Sequence, residues 1–413
     1  MKVWLVGGGG REHALAWKLA QSPLVDRLWI APGNPGTSSL GVNMAVPAGD
    51  AAAQADAARS AGADFVVVGP EAPLAAGLAD RLAMYGIPCF GPVAAAARIE
   101  SSKAFAKRVM AEAGVPTAAS AEFTESEPAK RYAAVRGGRV AVKADGLAGG
   151  KGVIVCASVA ESDAAIDRLL EGGRLVVEEV LQGPEVSIIA LCDGVRALPL
   201  AAARDHKRLQ DGERGPNTGG MGAVSPVPGV PGGEAALLEW TRARVLEPTL
   251  AALAARGTPF RGALYAGLML TKDGPKVLEF NARFGDPETE PILARLSGDL
   301  VPALVAAASG SLAGHSLSWR PDAAVCVVLA ALGYPDAPRH GDVVSGVDAA
   351  KRRGALVFHA GTAQRGGRLV TSGGRVLAVT SLGVNVAEAR ANAYAACAEL
   401  HFDGMQLRRD IAS

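Results

Sequence analysis

Val277-Leu278-Glu279-Phe280-Asn281-Ala282-Arg283-Phe284-Gly285-Asp286-Pro287-Glu288 opens as a strand and closes as an acidic turn. Leu278 and Phe280 alternate with Glu279, Asn281 and Arg283, and a period of two sends the two sets to opposite faces. One face is apolar; the other carries a carboxylate, an amide and a guanidinium. That set suits Mg²⁺ bound to a polyphosphate. The ion takes one or two protein oxygens, leaves its other positions to water and phosphate, and an arginine holds the remaining anionic oxygens. An edge strand that merely shows polar residues to water is the plain alternative, but Gly285-Asp286-Pro287-Glu288 adds further carboxylates at the turn.

Toward the N-terminus the pattern becomes an alternation of strands and helices. Val3–Val6, Arg27–Ala31, Asp64–Val68 and Pro88–Phe90 read as strands; Arg11–Gln21, Ala51–Ala61 and Leu74–Tyr85 read as helices. Such alternation predicts an open parallel sheet with helices on both faces. Glycine turns follow the strands at Gly7–Gly10, Gly33-Asn34-Pro35-Gly36 and Gly69-Pro70-Glu71, where ligands of open α/β sheets bind. A second unit begins near Ser102 with a helix over Lys103–Ala113. Strands at Val140–Lys143, Val153–Cys156 and Leu175–Glu179 form a small α+β lobe, followed by strands at Val186–Cys192, Tyr265–Leu270 and Lys276–Asn281. The last hundred residues are strand-rich (Ala324–Ala330, Val343–Ser345, Leu356–His359, Val376–Thr380) and end in a helix from Val386 to Leu400. The fold class is therefore α/β and α+β, multidomain, with units at 1–101, 102–310 (a small lobe over about 115–185) and 311–413.

Two glycine loops resemble familiar nucleotide motifs and fail them on spacing. Gly7-Gly8-Gly9-Gly10-Arg11-Glu12-His13 follows a strand and opens a helix. Glu12, however, stands where the third glycine of a dinucleotide fingerprint belongs, and the second strand ends without a carboxylate for a ribose. What remains is a set of backbone N–H groups at a helix N-terminus, a generic phosphate site with Arg11 beside it. Lys143-Ala144-Asp145-Gly146-Leu147-Ala148-Gly149-Gly150-Lys151-Gly152 has one residue too few for a P-loop and no Ser or Thr after its lysine. A glycine flap bracketed by two lysines still suits closure over a triphosphate. Glu178-Glu179-Val180-Leu181, with Glu185 beyond, is weak in isolation. Arg204-Asp205-His206-Lys207-Arg208 and Gly215-Pro216-Asn217-Thr218-Gly219-Gly220-Met221-Gly222 are stronger, combining close backbone approach with several charges.

Bulk properties narrow the class. The chain has 413 residues, 49% hydrophobic and 20% charged, with a formal net charge of +1. This is a compact globular composition, without the basic patch that nucleic acid requires. The cysteines Cys89, Cys156, Cys192, Cys326 and Cys397 are dispersed, form no CxxC pair and read as buried thiols. The N-terminus lacks a signal-like apolar region, and the longest apolar run, Ala323 to Leu332, is too short to span a bilayer. A cytoplasmic protein is expected.

In their order and spacing these motifs resemble the phosphoribosylamine–glycine ligase family of the ATP-grasp superfamily, from Val3 to about Ile411. The resemblance is carried by Gly9-Gly10-Arg11-Glu12-His13-Ala14-Leu15, Ala31-Pro32-Gly33-Asn34, Val68-Gly69-Pro70-Glu71-Ala72-Pro73-Leu74, Lys143-Ala144-Asp145-Gly146-Leu147-Ala148, Asp205-His206-Lys207-Arg208, Gly215–Gly222, Glu279–Glu288 and His359-Ala360-Gly361-Thr362. It implies a pre-ATP-grasp N-terminal domain, an ATP-grasp core with a flap, and ligation of glycine to 5-phosphoribosylamine through glycyl phosphate in purine biosynthesis. It further implies ATP as co-substrate and Mg²⁺ (or Mn²⁺) held by Glu279 and Asn281. The nucleotide would meet Lys103, Lys143, Gly149, Gly150, Lys151, Glu178, Glu179, Val180 and Leu181, with Glu185 on the ribose. Arg283, Lys143 and Asp205 would act at the reacting groups. Gly9, Arg11, Asn34, Glu71, Lys207, Asn217, Thr218 and Asp286 would bind glycine and phosphoribosylamine. Partners would be these small molecules only, with no nucleic acid or membrane, in a monomer or homodimer.

The chain departs from the family pattern at several places. Gly8 stands for a usual asparagine, Ser102 follows another serine where Gly-Ser is common, Gly149 replaces a frequent alanine, and Leu170–Arg174 lacks several residues that relatives carry. A biotin-dependent carboxylase would need a carrier hairpin with a Met-Lys-Met core, which the last hundred residues do not contain. A non-catalytic nucleotide sensor would have lost a metal ligand or phosphate lysine, whereas Glu279, Asn281, Lys143 and Lys151 all stand.

Overall fold

The computed structural model describes residues 1–147 and 152–413. Its first section is a parallel sheet ordered Val42–Asn43, Arg27–Pro32, Lys2–Gly7, Phe65–Val68, Cys89–Phe90. Val3, Trp4, Leu5 and Val6 are all fully buried, as expected of a sheet covered on both faces. The order reverses beside the central strand, which places the Gly7–Gly10 and Gly69–Glu71 turns at the switch point. Helix Ala51–Ala61 starts on Asp50, whose side chain accepts the Ala53 N–H, and stops at left-handed Gly62. The helix expected over Leu74–Tyr85 is instead two, Glu71–Ala75 and Leu78–Met84, because Gly77 adopts φ +84° and breaks the run. The short edge strand Val42–Asn43 escaped the sequence reading.

The lobe expected over about 115–185 contains a sheet ordered Ser120–Phe123, Leu175–Glu179, Val140–Ala144, Val153–Val155, backed by helices Ser126–Ala134 and Val159–Leu170. It has its own small core around Val142, Ile166 and Val177. The short segment after Leu170 turns through Gly173 at φ +90°, and the Arg174 carbonyl accepts the Asp145 N–H at 3.0 Å.

Facing the lobe is an antiparallel sheet ordered Ala197–Pro199, Glu185–Asp193, Arg261–Thr271, Gly274–Asn281. Its last strand departs from strict alternation. Val277 pairs with Leu268 and Glu279 with Gly267, so Leu278 is the extra residue of a bulge. Val277 and Phe280 therefore enter the core, while Leu278 is half-buried and its carbonyl accepts from Lys143 Nζ at 3.0 Å. A bulge re-aims side chains in this way beside functional sites.

The remaining large sheet runs Arg204–Asp205, Gly222–Ser225, Ala323–Ala330, Arg375–Gly383, Leu356–His359, all antiparallel. Two of its strands come from the middle of the chain. Helix Val386–Cys397 covers it. The strand expected at Val343–Ser345 is reduced to single bridges to Val370 and His401. The described cysteines are all free, four of them buried. No helix among the described residues is long and apolar enough to cross a membrane.

Candidate active site

The expected nucleotide cleft lies between the lobe and the sheet that ends at Asn281. Glu178, 2% exposed, bridges Lys107 at 3.1 Å and Lys143 at 3.0 Å. Lys103 reaches the Gly146 carbonyl at 3.0 Å. Ser102 caps helix Lys103–Glu112 by accepting the Phe105 N–H and also meets Asp145, which ties that helix to the flap's entry. Burial lowers the pKa of Lys103 and Lys107, with Glu279 opposing this at Lys103 and Glu178 at Lys107. At the strand end, the Glu179 carboxylate accepts from the Ala119 N–H at 3.1 Å and Lys276 at 3.3 Å. A cavity of about 430 Å³ opens beside Glu179 and Val180. Leu181 follows on the connection, half-buried. The predicted contacts Gly149, Gly150 and Lys151 lie outside the described residues.

Glu279 and Asn281 are two apart on one strand, as the sequence required. Burial works against the Glu279 carboxylate, but Lys207, Lys143, Lys103 and Arg283 outweigh it and hold its pKa below the usual range. An ionised carboxylate beside an amide, with lysines on hand for phosphate, fits Mg²⁺ that completes its shell with phosphate and water. Among the described residues no group of three acidic, His or Cys side chains is placed to hold a metal ion by itself.

Next to the strand is a crowded acidic hollow. Lys207 Nζ donates to Glu185 at 2.6 Å, so the predicted ribose ligand is engaged by the predicted substrate lysine. Burial, then Glu288, Glu185 and Glu279, push the Asp205 carboxyl up to about 8 against the pull of Lys207. Burial disfavours the Lys207 charge, but Asp205 and its acidic neighbours hold it well above the usual lysine range. Beneath them Ser187 Oγ donates to Glu288 at 2.9 Å and meets the Tyr265 hydroxyl at 2.8 Å. Thr218 pins the hairpin by donating its N–H and its hydroxyl to the Lys207 carbonyl, each at 2.8 Å. Asn217 pairs through its backbone with Arg208, and no hydrogen bond engages its amide side chain among the described residues.

The switch-point turns converge on the same hollow. Arg283 Nε lies 3.3 Å from Glu71 and 3.4 Å from Glu100. Burial opposes ionisation of Glu71, yet Arg283 and Arg11 keep its pKa low; burial and Glu71 together raise that of Glu100. Arg11 is buried, donates to Glu12 at 2.5 Å and reaches the Phe284 carbonyl at 3.1 Å. Glu12 also accepts the Gly9 N–H at 2.7 Å, so that backbone group is not open to an anion as the glycine loop alone implied. A Cβ on Gly8 would stand 2.5 Å from the Gly33 carbonyl oxygen, so the turn as it stands is fitted to glycine. Asn34 is committed too. Its amide donates to Gly8 and His359 carbonyls at 3.0 and 2.8 Å, and its oxygen accepts from Gly36 and Thr37.

Asp286 lies where these parts meet, its Oδ2 3.7 Å from where a Cβ on Gly9 would be. Arg375, from the last sheet, pairs with its carboxylate at 3.0 Å and donates to its carbonyl at 2.9 Å. The Gly219 carbonyl accepts from the same Arg375 Nη1 at 2.6 Å, while the Gly219 N–H donates to Tyr334 at 2.9 Å. Arg375, Tyr334, Lys107, Glu100, Ser187 and Tyr265 were not singled out from the sequence, and Glu288 only as a further carboxylate at the turn. Only Lys107 left a usable signal, one helical turn beyond Lys103.

The chain matches the phosphoribosylglycinamide synthetase N domain over residues 1–100, its ATP-grasp (A) domain over 101–289 and its C domain over 324–413. The chain belongs to the phosphoribosylglycinamide synthetase family. Among curated relatives, the phosphoribosylamine–glycine ligase of Allochromatium vinosum is 51% identical across all of this chain and 98% of its own length. That of Agrobacterium fabrum is 49% identical over the same shares. The crystal structure of phosphoribosylamine–glycine ligase from Thermotoga maritima superposes with a TM-score of 0.86 at 36% identity, covering both chains completely. The biotin carboxylase domain of Hydrogenobacter thermophilus 2-oxoglutarate carboxylase shares the fold, with a TM-score of 0.73 at 18% identity over 98% of this chain and 91% of that one.

Proposed function

We propose that the chain ligates glycine to 5-phosphoribosylamine, converting ATP to ADP and phosphate, as a cytoplasmic step of purine biosynthesis. One observation carries the reading: an ionised Glu279 beside Asn281, ringed by Lys103, Lys143, Lys207 and Arg283, faces the acidic hollow around Asp205. A polyphosphate finds cations on one side, and an ammonium-bearing substrate finds carboxylates on the other. Full-length identity of about half to ligases of that name supports the same assignment.

In this reading glycine's carboxylate oxygen attacks the γ-phosphorus, ADP leaves, and the amine of phosphoribosylamine displaces phosphate from glycyl phosphate. No protein nucleophile is required; the work is positioning and charge neutralisation. Lys143 and Lys103 neutralise phosphate oxygens, while Glu178, itself held by Lys107, fixes where Lys143 points. The backbone of Glu179 to Leu181 frames the base, and Glu185 exchanges its Lys207 contact for ribose hydroxyls. Arg283, steadied by Glu71 and Glu100, lies near the transferring group. Asp205 receives glycine's ammonium. Arg11, Asn34 and Gly9 shape the phosphoribosylamine pocket chiefly by fixing its turns. When bound at Glu279 and Asn281, Mg²⁺ supplies charge neutralisation at the phosphates.

Product formation with glycine, freshly made phosphoribosylamine, MgATP and purified protein tests the assignment. With ¹⁸O in the glycine carboxylate, label must appear in inorganic phosphate, because the attacking oxygen leaves with it. Unlabelled phosphate beside labelled product rejects the acyl-phosphate route.

A further inference from the structure

We propose that a hollow at the far end of helix Gly10–Leu19 is a second anion site, suited to a phosphate group and separate from the nucleotide cleft. A cavity of about 180 Å³ lies there, walled by Trp17 and Lys18 of the helix, Ser297 and Arg320 of the middle of the chain, and Thr380 of the late strand Arg375–Gly383. Lys18 lies about 13 Å along the helix from Gly9 at a rise of 1.5 Å per residue. Each of these five side chains offers at least one N–H or O–H, and no carboxylate lines the cavity.

The charges are left under-compensated. Lys18 is 5% exposed, and its ammonium has one hydrogen-bond acceptor, the Leu296 carbonyl at 2.5 Å. Two of its three N–H bonds remain to be used. The Arg320 side chain makes no hydrogen bond or ion pair among the described residues. Burial lowers the Lys18 pKa, Arg320 lowers it further, and Asp299 opposes both. Asp299 does not line the cavity; it accepts from Ser22 Oγ at 2.8 Å and from the Val301 N–H at 3.0 Å.

Thr380 also lines the cavity; it is fully buried and pairs across the sheet with Cys326, whose thiol its hydroxyl meets. A tetrahedral oxyanion satisfies the set at once: the guanidinium supplies paired donors, the ammonium a point charge and the hydroxyls single bonds. A cavity of roughly 150 Å³ already admits a benzene-sized guest, so a phosphate monoester fits as well as free phosphate, its carbon portion lying on the Trp17 indole.

The test is calorimetric titration of the full chain, with the nucleotide cleft saturated by a non-hydrolysable ATP analogue, Mg²⁺ and glycine. Inorganic phosphate is titrated in one arm and glycerol 3-phosphate in the other. A saturable site is expected in at least one arm, weakened roughly tenfold or more in Arg320→Ala, the loss expected for a charge-assisted contact. Arg320 is exposed, so this variant folds and keeps its ligation rate in the absence of added anion. Lys18→Met should weaken the site at least as much. The arm that binds more tightly identifies the anion's source. Binding that is absent in both arms, or unchanged in Arg320→Ala, overturns the proposal; neither result depends on ligation activity.

Discussion

Arg375 and Asp286 stand 3.0 Å apart as an ion pair, joining the last sheet of the chain to the turn that follows the strand Gly274–Asn281. The same guanidinium nitrogen also holds the carbonyls of Asp286 and Gly219. One side chain thus ties together two loops, those of Asp286 and Gly219.

Arg375→Lys keeps the charge on a differently shaped side chain, so its ammonium no longer sits where Nη1 meets Asp286 and Gly219 together. Turnover should fall by roughly 10 to 100-fold, the scale of displacing a catalytic constellation by about an ångström, with the melting temperature little changed. Steady-state kinetics for glycine and phosphoribosylamine beside a thermal melt check this. An unchanged kcat would show that the loops hold themselves.

Glu279→Gln preserves shape and removes one ligand charge. Turnover should drop by roughly 10² or more, and the Mg²⁺ concentration for half-maximal rate should rise. Normal Mg²⁺ dependence would place the metal elsewhere.

Asp205 must be ionised to receive an ammonium, and burial among carboxylates pushes it up to about 8. Below that pH the free enzyme carries it protonated, so kcat/KM for glycine should rise with pH and level off above about 8. Asp205→Asn should flatten this limb and lower kcat/KM by about tenfold or more. A limb that persists in the variant belongs to another group.

Glu290 is fully buried, and neither of its carboxyl oxygens has a partner. Burial, then Asp286, raises its pKa well above the usual value. At pH below the unfolded carboxyl pKa both states are protonated and nothing is lost. As pH rises past that value only the unfolded chain releases the proton, so this group subtracts stability progressively up to its folded pKa. Glu290→Gln should remove that slope, so its advantage over the parent in urea midpoint should grow from mildly acidic to mildly alkaline pH. Parallel midpoint curves would show that Glu290 ionises in the folded protein.

The sheets and the shared face of Glu279 and Asn281 were legible because they rest on local signals. Buried strands such as Val3–Val6 are continuous apolar runs, and Glu279 and Asn281 share a face through period-two geometry that survives the neighbouring bulge. What sequence hid is set by partners far along the chain. Lys107 matters because Glu178 lies beside it, and Arg375 because Asp286 does. Asn34 looked like a free ligand in its glycine turn; its partner, the His359 carbonyl, is 325 residues away. Gly77 broke a helix inside an apolar run whose composition alone reads through it.

The strand Gly222–Ser225 pairs directly with Ala323–Ala330, so the large sheet of the C-terminal region is completed by strands from the middle of the chain. Expressed alone from about residue 311, that region would bare the edge of Ala324–Val327, in a strand whose every side chain is buried in the intact molecule. Such a bare apolar edge is a template for pairing with other chains. A cut between the middle and the end of this polypeptide would thus yield aggregates rather than two soluble halves.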